Sequence, residues 1–138
     1  VYADLGDSHS LLQALKDTRP DEIYNLASQS VPATSFREPI DTAEITGIGP
    51  HRLLEAMREV CPKAKFYQAS TAEMFGWVGE VPQSEETPFH PANPYAAAKL
   101  YAHHIAKIYR KSYGMLLPVG YCITTVHQDA ASILSSRK

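Results

Sequence analysis

Short apolar runs alternate with longer amphipathic segments along the 138-residue chain. Runs at residues 23–26, 65–70 and 115–123 are bounded by polar or turn-forming residues, which is typical of strands in a parallel sheet. Residues 1–5 predict the end of a further strand. Apolar residues at helical spacing predict helices after residue 8, over residues 52–60 and over residues 94–113. This repeated strand–helix order predicts an open parallel sheet covered by helices on both faces.

Turn-forming residues mark where these helices begin and end. Asp7 lies in a turn that supplies an N-cap, and Pro20 requires the first helix to stop shortly before it. Pro50 and Pro94 are acceptable as first residues of helices, and Gly114 suits a C-terminal cap. Residues 71–92 contain many glycines, prolines and glutamates, which predicts a long loop of the kind that carries function.

The composition excludes several classes of protein. With 44% apolar and 20% charged residues the chain can build a buried core, so we expect one folded domain. The formal charge of −2 disfavours binding to nucleic acid or to an anionic membrane surface. No uncharged stretch is apolar enough to span a bilayer, and no secretory signal opens the chain. Two distant cysteines, Cys61 and Cys122, favour a reducing compartment, so we expect a cytoplasmic protein.

Candidate chemistry begins with Tyr95 and Lys99. They are four residues apart on a predicted helix, so their side chains share one face. An ammonium group close to a phenol stabilises the phenolate, and such a tyrosine can act as a general base or acid near neutral pH. The spacing alone is equally compatible with an ordinary surface pair.

A second cluster follows a predicted central strand. Ser70, Thr71 and Glu73 would lie at the carboxyl end of that strand, where ligands bind in open parallel sheets. A hydroxyl there can share a proton with a tyrosine, and a carboxylate can take a proton from carbon. Ordinary turn chemistry with a solvated Glu73 is the alternative. His103 and His104 are not expected to hold a metal, because neighbours on a helix point about 100° apart.

Three motifs together resemble the extended short-chain dehydrogenases/reductases: Tyr-x-x-x-Lys at 95–99, Ser-Thr-x-Glu at 70–73 and Asn-Leu-Ala-x-Gln-Ser at 25–30. Longer stretches, among them FYQASTAEMFG and NPYAAAKLYAHHIAKIYRKSYGM, narrow the resemblance to the GDP-mannose 4,6-dehydratase family over nearly the whole chain. It implies an α/β fold with a Rossmann-type doubly wound parallel sheet. Residues 1–138 would be the central part of that Rossmann-type domain. The N-terminal glycine-rich unit and most of the C-terminal substrate domain would be absent, and residues 124–138 would lead towards the substrate domain.

The resemblance also implies a reaction. GDP-mannose would lose water to become GDP-4-keto-6-deoxymannose, with a hydride held transiently on bound NADP. Tyr95 would take the proton of the sugar 4-hydroxyl, and Thr71 would relay it. Lys99 would hold the nicotinamide ribose, and Glu73 would act at C5 and C6.

Further contacts and partners are implied by similarity alone. The adenosine half of NADP would meet Asp4 and Leu5, and the rest of the cofactor would lie along Leu26, Ala27, Ser28, Gln29 and Ser30. GDP-mannose would be the small-molecule substrate, with neither nucleic acid nor membrane as a partner. At full length the enzyme would be a homo-oligomer, paired through helices 52–60 and 94–113.

Some positions depart from the family pattern. No glycine-rich turn is present to cradle a pyrophosphate, so we expect the chain alone to be inactive. Asp41 replaces a tyrosine that packs on the cofactor, and Thr124, Thr125 and Ala130 replace binding residues. The preference for NADP over NAD and the exact nucleotide sugar stay open. In the family, the start of the helix that includes residues 52–60 is less interrupted than in this chain, where Gly47, Gly49 and Pro50 occur.

Two alternatives to a dehydratase stay open. One is another nucleotide-sugar enzyme of the same fold, such as an epimerase, although Glu73 favours dehydration because an epimerase needs no acid or base at C5 and C6. The other is a non-catalytic, truncated module that binds a partner through its amphipathic helices.

Overall fold

A three-stranded parallel sheet forms the centre of the computed structural model, which describes residues 1–29, 31–77, 82–84, 86–117 and the backbone of 119–122. Its strands are β1 (Glu22–Asn25), β2 (Lys65–Thr71) and β3 (Val119–Cys122), in the order β1-β2-β3. β1 aligns Asn25 with Gln68 of β2, and Thr71 at the end of β2 aligns with Cys122. The carboxyl ends of all three strands therefore lie at one edge.

Helices connect the strands. They are α1 (Ser8–Thr18), α2 (Pro39–Thr42), α3 (Gly49–Val60) and α4 (Pro94–Tyr113), with short 3₁₀-helices at Thr34–Phe36 and Ala72–Phe75. Within the described ranges, none of these helices is both long enough and apolar enough to cross a membrane. The alternation of strands and helices confirms the α/β, parallel-sheet class that the sequence predicts.

The predicted caps of α1 and α4 are present. The Asp7 carboxylate accepts a hydrogen bond from the His9 N–H at 2.9 Å, and α1 ends at Arg19 in a left-handed conformation just before Pro20. α4 begins with Pro94 and ends at Gly114, also left-handed. Local signals in the sequence were sufficient to place these two helices.

A π-helix, Ala43–Ile48, joins α2 to α3 without a break in the helical path. It ends just before Pro50, which has no backbone N–H to donate to an α-helical bond. Gly49 has no room for a side chain, because an added Cβ would lie 2.8 Å from the Cβ of Leu5. The expected interruption at the glycines and Pro50 is therefore a π-helical segment, a feature often found near functional sites.

The core lies on one face of the sheet. Phe66 of β2 is fully buried among apolar side chains of α1, α3 and α4, and its backbone N–H donates to Leu116 O at 2.8 Å. The buried members of this cluster are Leu11, Leu15, Leu53, Leu54, Ala56, Met57, Ala64, Phe66, Ala106, Tyr109, Met115 and Leu117. Burial of these side chains, at about 25 cal/mol per Å² of apolar surface, is the main stabilising contribution.

One expectation about the sheet was wrong. Residues 1–5 do not form a strand: Val1 and Tyr2 are exposed, and β1 pairs only with β2 among the described strands. A strand needs a neighbour to take up its backbone hydrogen bonds, and an apolar run alone does not supply one. On the face opposite Phe66, Tyr24 and Leu26 are about two-thirds exposed among the described residues.

Gly76 is expected to tolerate substitution far less well than Gly114. Both have positive φ, but a Cβ at Gly76 would overlap the carbonyl oxygen of His90, whereas one at Gly114 would meet nothing within 4 Å. We expect Gly76→Ala to cost about 2–4 kcal/mol of the free energy of unfolding and Gly114→Ala about 1 kcal/mol. Urea unfolding of both variants measures this difference. Equal midpoints would contradict the close contact at His90.

Candidate functional site

Tyr95 and Lys99 lie one turn apart at the start of α4, which packs on β2. Both side chains are buried, with 9% and 3% of their surface exposed. The Lys99 Nζ donates to the Ala69 carbonyl oxygen at 3.1 Å and lies 5.9 Å from the centre of the Tyr95 ring. The alternative of a surface pair is therefore wrong, and a cation is held close to a buried phenol.

A chain of buried amides supports this lysine. The Asn25 side-chain amide donates to Gln68 Oε1 at 2.9 Å, and the Gln68 amide donates to the Ala69 oxygen at 3.1 Å. The Ala69 oxygen thus accepts from both Gln68 and Lys99. Buried polar groups need such partners, because an unpaired one costs about 1–3 kcal/mol. Gln68 was not singled out from the sequence, and its signal is an amide on the inward face of β2, between Phe66 and Ser70.

Thr71 and Glu73 follow β2 directly. Thr71 is buried, and its Oγ1 accepts from the Glu73 N–H at 3.3 Å, which caps the 3₁₀-helix Ala72–Phe75. The turn chemistry of the alternative interpretation is therefore present at Thr71, and the Glu73 side chain is exposed as that alternative has it. Because the hydroxyl oxygen acts as acceptor there, its own proton can be donated to another group.

Glu73 is joined to the first turn of α4. Its Oε2 accepts from the Asn93 side-chain amide at 3.1 Å, and Asn93 Oδ1 accepts from the Ala96 N–H at 2.7 Å. Asn93 is the N-cap of α4, so the Glu73 carboxylate lies near the positive end of that helix dipole. The structure thus brings Thr71, Glu73, Tyr95 and Lys99 to one edge of the sheet.

The loop after β1 presents backbone and small side chains at the same edge. Leu26 and Ala27 are exposed, and Ser28 and Gln29 are half-buried. The Gln29 N–H donates to Thr46 Oγ1 at 3.0 Å, whereas its buried Oε1 has no hydrogen-bond partner among the described residues. An unpaired buried acceptor suits a bound polar ligand. The expectation for Ser30 lies outside the described residues.

Asp4 and Leu5 lie just before α1. The Asp4 carboxylate accepts from the Gly6 N–H at 2.7 Å, and the exposed Asp4 backbone N–H donates to Ser10 Oγ at 3.1 Å. Leu5 is half-buried against the core and touches Gly49. The structure gives both residues a local structural role. The expectations for Thr124, Thr125 and Ala130 fall outside the described residues.

His103 and His104 differ in burial, as expected for neighbours on a helix, although their ring centroids lie 5.5 Å apart. His104 is exposed, whereas His103 is 2% exposed and its Nδ1 lies 3.1 Å from Ser70 Oγ. Burial, with the charges of Lys107 and His104, lowers the pKa of His103 from 6.5 to about 4. The imidazole is therefore neutral at physiological pH, directly beneath the end of β2.

The parallel sheet, with the buried Tyr95 and Lys99 at its carboxyl edge, defines a Rossmann-type domain of the extended short-chain dehydrogenase/reductase class. The model of the family "GDP-mannose 4,6 dehydratase" matches residues 1–130. The chain belongs to the GDP-mannose 4,6-dehydratase family.

Similar proteins agree with this assignment. A GDP-mannose 4,6-dehydratase of Vibrio cholerae serotype O1 is 53% identical over 116 residues, which cover 83% of this chain and 31% of that protein. The RMD protein of Pseudomonas aeruginosa, complexed with NADPH, superposes with a TM-score of 0.83 at 30% identity, over 89% of this chain and 42% of that one. A Thermus thermophilus UDP-glucose 4-epimerase in complex with NAD superposes with a TM-score of 0.77 at 32% identity, over 85% of this chain and 38% of that one. The chain thus spans about a third of the length of the curated relatives it matches.

The neutral His103 predicts a pH-dependent stability. Between pH 6.5 and about 4 the unfolded chain binds a proton that the folded chain does not, so stability falls as pH decreases through this window. The loss amounts to about 3 kcal/mol at most. The slope of the urea midpoint against pH should decrease in His103→Asn and persist in the matched exposed variant His104→Asn. Equal slopes in both variants would contradict the assignment.

Proposed function

We propose that, in a protein of its relatives' length, this segment forms the catalytic centre of a GDP-mannose 4,6-dehydratase, a lyase that converts GDP-mannose to GDP-4-keto-6-deoxymannose. The observation that carries the proposal is the position of the Glu73 carboxylate. It is hydrogen-bonded to the N-cap of the same helix that holds Tyr95 and Lys99. Two proton-transfer groups at one sheet edge are what this dehydration requires.

NADP is the proposed cofactor. When bound, it would supply a hydride acceptor for C4 of the sugar and a hydride donor for C6. The exposed Leu26 and Ala27, with Ser28, Gln29 and Ser30, would hold it along the loop after β1, and Lys99 would hold the nicotinamide ribose. Gln29 Oε1, which has no partner among the described residues, supports this placement. Asp4 and Leu5 are proposed at the adenosine end. Similar structures hold NADPH or NAD, which supports a nicotinamide dinucleotide.

Tyr95 performs the first proton transfer in this proposal. Its phenolate takes the proton of the sugar 4-hydroxyl, so that C4 becomes a ketone. The Lys99 ammonium, fixed on the Ala69 oxygen, stabilises the negative phenolate oxygen. Thr71, whose hydroxyl proton is free to be donated, relays the proton between the sugar and Tyr95.

Glu73 performs the second proton transfer. Its carboxylate takes the C5 proton, which the neighbouring ketone has made acidic, and delivers a proton to the C6 hydroxyl. That hydroxyl leaves as water, and a double bond forms between C5 and C6. Return of the hydride to C6 then requires a proton at C5, which is the proton that Tyr95 took from the 4-hydroxyl, so the phenolate is restored. Tyr95 thus acts first at the 4-hydroxyl, and Glu73 acts at C5 and at the C6 hydroxyl.

A homo-oligomer in the cytoplasm is also proposed. The apolar face of α3 is used inside the core, so residues 52–60 offer less surface for pairing than the sequence suggested. The exposed side chains Ile40, Tyr101 and Ile108 support pairing through α2 and the outer face of α4 instead. The free thiol of Cys61 is compatible with a reducing compartment.

The full-length protein that carries this segment is expected to convert GDP-mannose to a product lighter by one water, without net consumption of cofactor. Mass spectrometry of the nucleotide sugar measures this. A product of unchanged mass and inverted configuration would instead support the epimerase alternative, and no conversion at all would support the non-catalytic one.

Two substitutions in the full-length protein separate the proposed acid–base roles. Glu73→Gln should still allow oxidation at C4, so the reduced-nicotinamide absorbance should rise and persist while water loss slows by about 100-fold or more. Tyr95→Phe removes the base for the 4-hydroxyl, so the cofactor should stay oxidised. Stopped-flow absorbance after mixing with GDP-mannose distinguishes them. The roles are wrong if both variants leave the cofactor oxidised.

A further inference from the structure

We propose that Asn93 is a positioning residue of the dehydration, a role that rests on the proposed function of Glu73. Its side chain holds the Glu73 carboxylate in a fixed orientation and joins it to the start of the helix that carries Tyr95. The two groups that exchange protons with the sugar would then be held by one short hydrogen-bonded unit.

The orientation of the Asn93 amide follows from its two partners. Its Oδ1 accepts from the Ala96 N–H at 2.7 Å, so Nδ2 must point the other way. There it donates to Glu73 Oε2 at 3.1 Å. A flipped amide would place Nδ2 against an N–H and Oδ1 against a carboxylate, which are both repulsive pairs. The donor side is therefore committed to Glu73.

The backbone around Asn93 makes this unit rigid. Its carbonyl oxygen accepts from the Ala97 N–H at 3.1 Å, and Pro94 fixes the first residue of α4. On the other side, the Glu73 N–H is held by Thr71 Oγ1. Glu73 is thus held at its backbone by the end of β2 and at its carboxylate by the start of α4.

Capping alone does not require an asparagine here. Asp and Ser cap helices about as well as Asn, because only the side-chain oxygen is needed. An asparagine adds a neutral donor that can bind a carboxylate 20 residues earlier in the chain. Exchange of Asn93 for other good caps therefore separates the two roles.

The test uses Asn93→Ser and Asn93→Asp in the full-length protein. Both retain the capping oxygen, so the rate of C4 oxidation should match that of the parent in both variants, and the urea midpoint should match it in Asn93→Ser. Asn93→Ser loses the donor, and water loss should slow roughly tenfold or more, as for loss of a hydrogen bond to a charged group. Asn93→Asp places a second carboxylate beside Glu73, so the pH of half-maximal water loss should also move upward.

Single-turnover absorbance measures oxidation at C4, and mass spectrometry measures water loss. The pH dependence of the rate of water loss is recorded for each variant. An Asn93→Ser variant that loses water at the parental rate would overturn the positioning role. So would equal slowing of oxidation and water loss together with a lower urea midpoint, because that is the behaviour of a structural cap alone.

A measurement without turnover keeps the contact itself testable. The ¹⁵N side-chain amide resonance of Asn93 should move with pH in the parent and stay constant in Glu73→Gln. Constant resonances in both would overturn the inference even in an active enzyme. If the parent loses no water from GDP-mannose while the resonance does move, it is the proposed function that fails, and the positioning role for that reaction fails with it.

Discussion

The hydrogen bond from Lys99 to the Ala69 carbonyl oxygen is the constraint on which the rest of the site depends. A lysine ammonium with only 3% of its surface exposed has lost most of its hydration, so it must be compensated by fixed polar groups. The Ala69 oxygen is such a group, and Gln68 and Asn25 hold it in a network that extends across two strands. Because Lys99 lies on α4 and Ala69 lies on β2, their hydrogen bond holds α4 against β2 and fixes the position of Tyr95, one turn earlier.

The same helix organises the second half of the site through its N-cap, Asn93. Asn93 terminates the loop, begins α4 and binds Glu73, so one residue connects the long segment after β2 to the helix. Glu73 is thus tied at its backbone to the end of β2 and at its carboxylate to the helix that carries Tyr95 and Lys99. A site assembled in this way keeps its internal distances even when the surrounding loops vary.

Local signals predicted what local interactions determine. α4 was placed correctly from Pro94 and Gly114, and Tyr95 and Lys99 share a face as their spacing requires. Non-local interactions were not predicted from the sequence. Residues 1–5 have the pattern of a strand, but strand formation depends on a neighbouring strand that the pattern does not reveal. Likewise, the Asn93–Glu73 contact joins residues 20 positions apart, and it depends on how α4 packs against the end of β2.

The exposed sheet face has a thermodynamic consequence. Tyr24 and Leu26 offer apolar surface beside the ionic pair of Glu22 with Lys65, and the tilted rings of Tyr24 and Tyr67 have centroids 6.0 Å apart. Any polypeptide that packs on this face stabilises the folded segment by its own binding free energy. The melting temperature of this part of the chain then depends on two contributions, the packing of its own core and the fit of the polypeptide that covers this face.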